Sequence, residues 1–128
     1  MNKVNLFREL IAWQKAMDLV VAVYGTNRAW PDDERFGLIS QVRRAAVSVA
    51  SNIAEGHGRR NDKELARFLM IAHGSLMEAL TQLEIACRLG YCNQAQLAQL
   101  FALGNEVGKL INGLHVRATN SANPIPGK

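Results

Sequence analysis

The sequence is poor in the residues that build metal and redox sites. Its only cysteines, Cys87 and Cys92, lack the Cys-x-x-Cys spacing of redox and zinc sites. The histidines His57, His73 and His115 stand apart, and the Glu-x-x-His pairs of di-iron bundles are absent. We therefore expect no metal and no other cofactor. Two thiols of this kind are typical of a reducing, cytoplasmic compartment.

Motifs for catalysis, secretion and membrane insertion are lacking as well. No Gly-x-Ser-x-Gly nucleophile motif occurs, and no pair of acidic residues is evident for acid–base catalysis. The longest apolar run, residues 19–24, is far shorter than the roughly 20 residues that cross a bilayer. Charged residues interrupt the apolar start of the chain, unlike a secretory signal. The sequence thus predicts a non-enzymatic, cytoplasmic protein without a membrane partner.

Helix-forming and apolar residues, by contrast, are abundant and follow a helical period. Apolar residues make up 48% of the chain and recur every three or four positions, which predicts amphipathic helices with a shared core. Four helices are predicted, at residues 7–27, 34–55, 62–89 and 94–116. The predicted buried stripe of the first is Leu6, Leu10, Trp13, Met17, Val20 and Tyr24. We therefore predict an all-α fold, an antiparallel up-down-up-down four-helix bundle.

Helix-breaking and capping residues set the predicted boundaries. Pro31 bars the first helix from continuing, and Gly56 and Gly58 are predicted to end the second in the left-handed conformation. Asn61 is a predicted cap of the third helix, with Glu64 three residues later. The bundle domain is predicted at residues 1–117. Residues 118–128, rich in Asn, Ser, Pro and Gly, are predicted to be a disordered tail.

The apolar residues exceed what one buried stripe per helix requires. The surplus positions on the first and third helices are Val21, Val23, Met70, Ile71, Met77 and Ile85. Surplus apolar surface on a small bundle is typical of an interface with another copy. The sequence therefore predicts a homo-oligomer.

Basic residues are concentrated in the middle of the chain. The whole chain has 15 Lys and Arg against 11 Asp and Glu, a net charge of +4. Residues 34–67 hold seven basic and four acidic side chains, so their net charge of +3 is most of the total. We predict phosphate contacts at Arg43, Arg44, Arg59, Arg60, Lys63 and Arg67. The alternative is a helix stop followed by solvated arginines that only confer solubility.

Polar residues line the side of the second helix opposite its predicted apolar stripe, which is Ile39, Val42, Ala46, Val49 and Ile53. Ser48, Asn52 and Glu55 are predicted to organise helix pairing through hydrogen bonds. For Glu55 the alternatives are an ion pair with Arg59 at i+4 and a contact across the bundle. A ligand-binding role for Ser48 and Asn52 is the other interpretation.

Several motifs resemble a known family. They are WQKA at residues 13–16, ERFGL at 34–38, QVRRAAVS at 41–48, SNIAEG at 51–56 and GSL at 74–76. The chain resembles the four-helix bundle family of proteins encoded by intervening sequences of bacterial 23S ribosomal RNA genes. The accessory variability protein of diversity-generating retroelements is a more distant relative. Ala50 departs from the pattern, since relatives often carry proline there, and predicts a straighter second helix.

The resemblance implies a ring-shaped homopentamer with a basic surface. For the retroelement relatives it implies partners as well, namely RNA or DNA and a reverse transcriptase. Together with the concentration of basic residues, the resemblance predicts an oligomeric bundle that binds structured RNA. The alternative is a protein adaptor that binds an acidic partner or a reverse transcriptase without touching nucleic acid.

Overall fold

The computed structural model describes residues 6–122, which are helical apart from short connections. The four helices are α1 (Ile11–Asn27), α2 (Leu38–Gly58), α3 (Asp62–Arg88) and α4 (Gln94–Ala122). Two single turns of 3₁₀-helix, Phe7–Glu9 and Asp32–Glu34, precede α1 and α2. Residues 6–122 contain no strand, so the all-α prediction is confirmed. No helix in this range combines the length and the apolar character that crossing a membrane requires.

The four helices surround one core. α1 packs against α2 and α4, and α3 packs against α2 and α4, so each helix has two neighbours. The largest fully buried side chains at its centre include Leu19, Ile53, Leu69, Leu83 and Ile111. The shared burial of apolar side chains from every helix is what stabilises helices that are only marginal in isolation.

Pairs of contacts give the relative direction of neighbouring helices. An added Cβ at Gly104 of α4 would lie against Leu80 of α3, and one at Gly108 would lie against Leu76. Residues later in α4 thus contact residues earlier in α3, so the two helices are antiparallel. On α2, Gly56 lies against Phe68 and Ser48 bonds to Ser75, which makes α2 and α3 antiparallel too. The complete up-down-up-down order stays a prediction.

The buried face of α1 differs from the predicted one. Its buried positions are Ala12, Ala16, Leu19, Val23 and Asn27. From the predicted stripe, Leu6, Met17 and Tyr24 are exposed, and Leu10, Trp13 and Val20 are only partly buried. The prediction was wrong because α1 is apolar on most sides, so spacing alone allows several stripes. Small alanines at the contact let α1 approach its neighbours closely.

The starts of α1 and α2 are later than predicted. The extended backbone of Leu10 separates α1 from the preceding turn at Phe7–Glu9. Gly37, at φ −108° and ψ −115°, likewise separates α2 from the turn at Asp32–Glu34. Glu34 joins this turn to α2 and to the segment that follows α3. Its Oε1 accepts the N–H of Leu38 at 3.0 Å, and its Oε2 accepts a hydrogen bond from the Tyr91 hydroxyl at 2.9 Å.

The end of α2 also corrects the prediction. Gly56 and Gly58 are both helical, and the left-handed residue is Arg60, with φ 54°. Gly56 serves packing instead: a Cβ there would lie 2.7 Å from the Cβ of Phe68 on α3. The glycine therefore allows α2 and α3 to meet closely just before the chain turns between them.

The N-terminal cap of α3 was predicted correctly, whereas α4 is longer than predicted. The Asn61 Oδ1 accepts the N–H of Glu64 at 3.0 Å, and Gly90, at φ 87°, follows the end of α3. α4 continues to Ala122 because Ala118 is buried, and the Thr119 hydroxyl donates to the carbonyls of the preceding turn. The predicted disordered tail is thus helical at residues 118–122. Its remainder, 123–128, lies outside the described residues.

Candidate nucleic-acid interface

The turn between α2 and α3 brings together four of the six predicted phosphate-binding residues. Arg59 and Arg60 follow α2, and Lys63 and Arg67 lie in the first two turns of α3. Arg44 lies 15 residues before Arg59 on α2, which corresponds to about 22 Å of helix. The structure therefore separates the predicted patch into a cluster at the α2–α3 turn and a distant pair, Arg43 and Arg44.

Two of the four cations at the turn are paired with carboxylates. Arg59 Nη2 lies 3.2 Å from Glu55 Oε2, and Arg67 contacts both Glu64 oxygens at 3.0 and 3.3 Å. The hydrogen bond from Arg67 lowers the pKa of Glu64, and the pKa of Arg67 is raised by the same bond. These pairs are exposed to solvent. Because exposed ion pairs are weak in water, a phosphate can compete for either guanidinium.

Both paired arginines also lie against one aromatic ring. The guanidinium carbons of Arg59 and Arg67 are 4.9 and 4.6 Å from the ring centre of Phe68. Cations over an aromatic face are attracted by its negative quadrupole. Phe68 thus helps to hold the two guanidinium groups in place at the turn.

The distant pair divides into a structural and an exposed residue. Arg43 Nε donates to Asn27 Oδ1 at 2.9 Å, and its guanidinium carbon is 4.3 Å from the Tyr24 ring centre. Asn27 is fully buried, so this contact joins α2 to the end of α1. Arg44 is exposed, and no ion pair is formed by it within residues 6–122. Arg43 therefore contributes to helix packing, while Arg44 remains accessible.

The tertiary structure adds two cations that sequence reasoning missed. Leu6 and Phe7 line one groove together with Arg60, and Leu10 lines another together with Arg117. Residues 6–10 and the last turns of α4 therefore lie at the same end of the bundle as the α2–α3 turn. We call the exposed cations there the basic end: Arg8, Arg59, Arg60, Lys63, Arg67 and Arg117.

The charge of the basic end is positive after its own acids are counted. Its six cations are opposed by Glu9, Glu55, Asp62 and Glu64, and six minus four leaves +2, half of the chain's net charge of +4. Among residues 6–122, no carboxylate pairs with Arg8, Arg60, Lys63 or Arg117. Arg8 and Arg117 could have been found from the predicted topology, because an up-down bundle places the start of its first helix and the end of its last helix at the same end as its second turn.

Ser48 and Asn52 form a polar contact between α2 and α3. The Ser48 and Ser75 hydroxyls share a hydrogen bond of 2.8 Å. Asn52 Nδ2 donates to the carbonyl and the hydroxyl of Ser48, at 2.8 and 3.0 Å. Asn52 thus supports Ser48 from within α2. Glu55 pairs with Arg59 instead, which is the alternative interpretation of its sequence position.

The side chains form no metal-binding cluster in the part of the chain that the structure describes. No group of three or more His, Cys, Asp or Glu residues lies close enough there to hold a metal ion. Cys87 and Cys92 are free and buried. Burial raises the pKa of the Cys92 thiol to about 11, so it carries almost no thiolate at neutral pH.

Comparisons with known proteins agree with this architecture. Residues 8–113 match the family model for 23S rRNA-intervening sequence protein. A similar fold is found in a 1.70 Å crystal structure of a protein of unknown function from the S23 ribosomal protein family of Bacteroides thetaiotaomicron VPI-5482. The TM-score is 0.76 at 20% identity, over 83% of this chain and 96% of that one. This likeness concerns the fold alone. No curated protein matches the chain.

Proposed function

The chain belongs to the 23S rRNA-intervening sequence protein family, and we propose that it is a non-enzymatic, self-associating bundle that binds structured RNA through its basic end. The observation that carries this proposal is the position of Arg8, Arg60, Lys63 and Arg117. These cations come from three separate segments of the chain, lie at one end of the bundle and are exposed without a carboxylate partner in residues 6–122.

Such a surface suits a phosphate backbone. Nucleic-acid affinity arises largely from Lys and Arg side chains that replace condensed counterions. Guanidinium groups bind phosphate oxygens in a bidentate manner, and five of the six cations of the basic end are arginines. Cations from different elements are held at fixed separations by the bundle. This favours a folded RNA, whose phosphates are also fixed in space.

Self-association is supported by an apolar stripe on the outer face of α3. Met70, Met77 and Ile85 are spaced by seven and eight residues, so they share one face of the helix, and each is 43% exposed. Exposed apolar surface of this kind suits an interface with another copy. In an assembly the basic end repeats, which strengthens the field that attracts RNA. The number of copies, five, comes from the family resemblance alone.

An acidic protein is the second candidate partner. The specific observation in its favour is that Arg59 and Arg67 already bind carboxylates at this surface. An adaptor of that kind, for a reverse transcriptase or another acidic protein, would use the same cations. For either partner we propose a cytoplasmic location, since both cysteines are free thiols.

Charge reversal at the basic end tests the RNA proposal. The variant Arg60→Glu with Lys63→Glu should lose at least about tenfold in affinity for a hairpin RNA, measured by fluorescence anisotropy. The slope of log affinity against log salt concentration should decrease in magnitude by about 1.4–1.8, because two phosphate contacts are lost. Arg28→Glu with Arg35→Glu is the control, because it makes the same charge change at the opposite end, on exposed residues that form no ion pair within residues 6–122.

The control should keep most of the affinity and the slope. Equal losses in both variants would mean that only net charge matters, which would contradict the assigned surface. If the wild-type protein fails to bind RNA and heparin but binds a polyglutamate-rich protein, the result would favour the adaptor function over RNA binding. Arg43 is unsuitable for this test, because reversing its charge would also break the contact with Asn27.

A further inference from the structure

A groove at the basic end has the mixed lining of a ligand site. Its volume is about 470 Å³, within the roughly 300–1,000 Å³ typical of small-molecule pockets. Leu6, Phe7 and Leu65 form its apolar part, and its polar side is formed by His57, Arg60, Asn61 and Asp62. The groove therefore offers apolar surface and a cation a short distance apart, beside the surface that we assign to phosphates.

Arg60 has an unusual backbone for an arginine. Its φ of 54° lies in the left-handed region, and its N–H donates to the His57 carbonyl at 3.3 Å after the end of α2. Glycine is the residue that adopts this conformation without steric cost. The chain has Gly58 two positions earlier, where the backbone is helical, and places an arginine at the left-handed position. The turn thus carries a guanidinium on the groove where a glycine would be more relaxed.

The aromatic side of the groove is held in place. Phe7 is partly buried, and its ring meets Trp13 edge-on, with ring centres 5.2 Å apart and planes at 67°. This contact restricts the Phe7 side chain before any ligand arrives. A ring that is already fixed loses little conformational entropy when a flat group stacks against it.

We propose that this groove binds a single unpaired nucleotide, with its base against Phe7 and Leu65 and its phosphate on the Arg60 guanidinium. Every base has a π face that can stack on an aromatic ring, and an exposed arginine suits a phosphate. The unpaired Lys63 and Arg8 lie nearby for the phosphates that follow. The inference rests on the proposed function, and it names the RNA class as one with an unpaired nucleotide at an end or a bulge.

Gly58 provides a way to fill the groove without touching Arg60. It lines the groove, and a Cβ added there would have no neighbouring atom within 4 Å. Gly58→Leu should therefore fold normally and occupy the space. Gly74→Leu is the matched control, because Gly74 is also helical, exposed and free of neighbours within 4 Å, but lies on α3 outside the groove.

The test compares two hairpin RNAs, one blunt and one with a single 3′ nucleotide, by fluorescence anisotropy. Wild type should prefer the overhang by about 5- to 140-fold, the range that stacking one base on an aromatic ring produces. Gly58→Leu should remove this preference and keep the affinity for the blunt hairpin, while Gly74→Leu should keep both. A 5-iodouridine at the overhang should crosslink to Phe7 on irradiation, as identified by mass spectrometry.

The outcomes separate this inference from the proposed function. Equal wild-type affinity for the two hairpins, or equal losses in the two leucine variants, would overturn the inference and leave RNA binding intact. Failure to bind either hairpin would overturn both proposals. Free uridine monophosphate should compete only for the overhang preference. If it binds while the overhang gives no advantage, the groove takes soluble nucleotides, and the assignment to an RNA strand is overturned.

Discussion

Replacing Arg60 by glycine should make this protein more stable and at the same time weaken its binding to RNA. The residue has a φ of 54°, which brings the Cβ of an L-residue close to the following carbonyl. This conformation costs about 1–2 kcal/mol for a residue with a side chain. Glycine avoids that cost but loses about 0.5–1 kcal/mol more backbone entropy on folding. Taking the middle of each range, the difference favours Arg60→Gly by about 0.75 kcal/mol.

The stability change is measurable by thermal unfolding followed by circular dichroism. For a chain of this length, a gain of that size corresponds to an increase of about 2–4 °C in Tm. Arg60→Lys is the matched control, because it keeps both the positive charge and the strained backbone. Its Tm should stay close to that of wild type. An unchanged Tm in Arg60→Gly would refute the argument that the native backbone at this position is strained.

The binding change is measured on the same two variants. Removing one phosphate contact should reduce the slope of log affinity against log salt by about 0.7–0.9. Arg60→Lys should keep the slope, since a lysine ammonium also neutralises one phosphate. A more stable Arg60→Gly variant with an unchanged salt slope would show that Arg60 does not contact the RNA. A stability gain coupled to a binding loss would be the signature of a strained residue kept for function.

Two further predictions concern packing and pH. Gly56→Ala should destabilise the protein by about 1–3 kcal/mol in urea unfolding, because its Cβ would lie 2.7 Å from the Phe68 Cβ. Gly58→Ala, with open space around it, should instead gain up to about 1 kcal/mol from helix propensity; a loss there would contradict the packing explanation. The hydrogen bond from Leu38 N–H, followed by that from Tyr91, lowers the pKa of Glu34 below its usual 4.5. The stabilisation by Glu34 is therefore complete above pH 4.5 and is lost as the pH falls through the lowered pKa. Wild type should consequently lose more stability on acidification than Glu34→Gln. If the urea midpoints of both proteins decreased by the same amount across that pH range, the role of Glu34 would be contradicted.

The sequence was most informative where helices have one apolar and one polar side. The buried stripe predicted for α2, from Ile39 through Val49 to Ile53, is buried in the structure. α1 is apolar on most sides, and its predicted stripe was wrong. Periodicity locates a buried face only when the opposite face differs from it in polarity. Where both sides are apolar, the fit between side chains of neighbouring helices decides, and that depends on the partners.

In the candidate site, too, features local in sequence were predicted and contacts between distant residues were not. Arg59, Arg60, Lys63 and Arg67 were predicted together because they are close in sequence around a turn. The pairing of Arg43 with Asn27 was not predictable, because it joins residues 16 positions apart on different helices. The left-handed Arg60 was also missed, since the nearby glycines are the residues that usually adopt that conformation.

The sequence by itself determined that this chain folds as four helices, that their apolar faces form one core and that its middle is basic. These properties depend on local spacing and composition, which act over a few residues. Only the tertiary structure decided which cations share a surface. Packing of α1 and α4 against the other helices brings Arg8 and Arg117 to the same end of the bundle as the α2–α3 turn, and the shape of that turn places Arg60 on the groove. Such positions depend on contacts between distant segments, and these arise only when the whole core is packed.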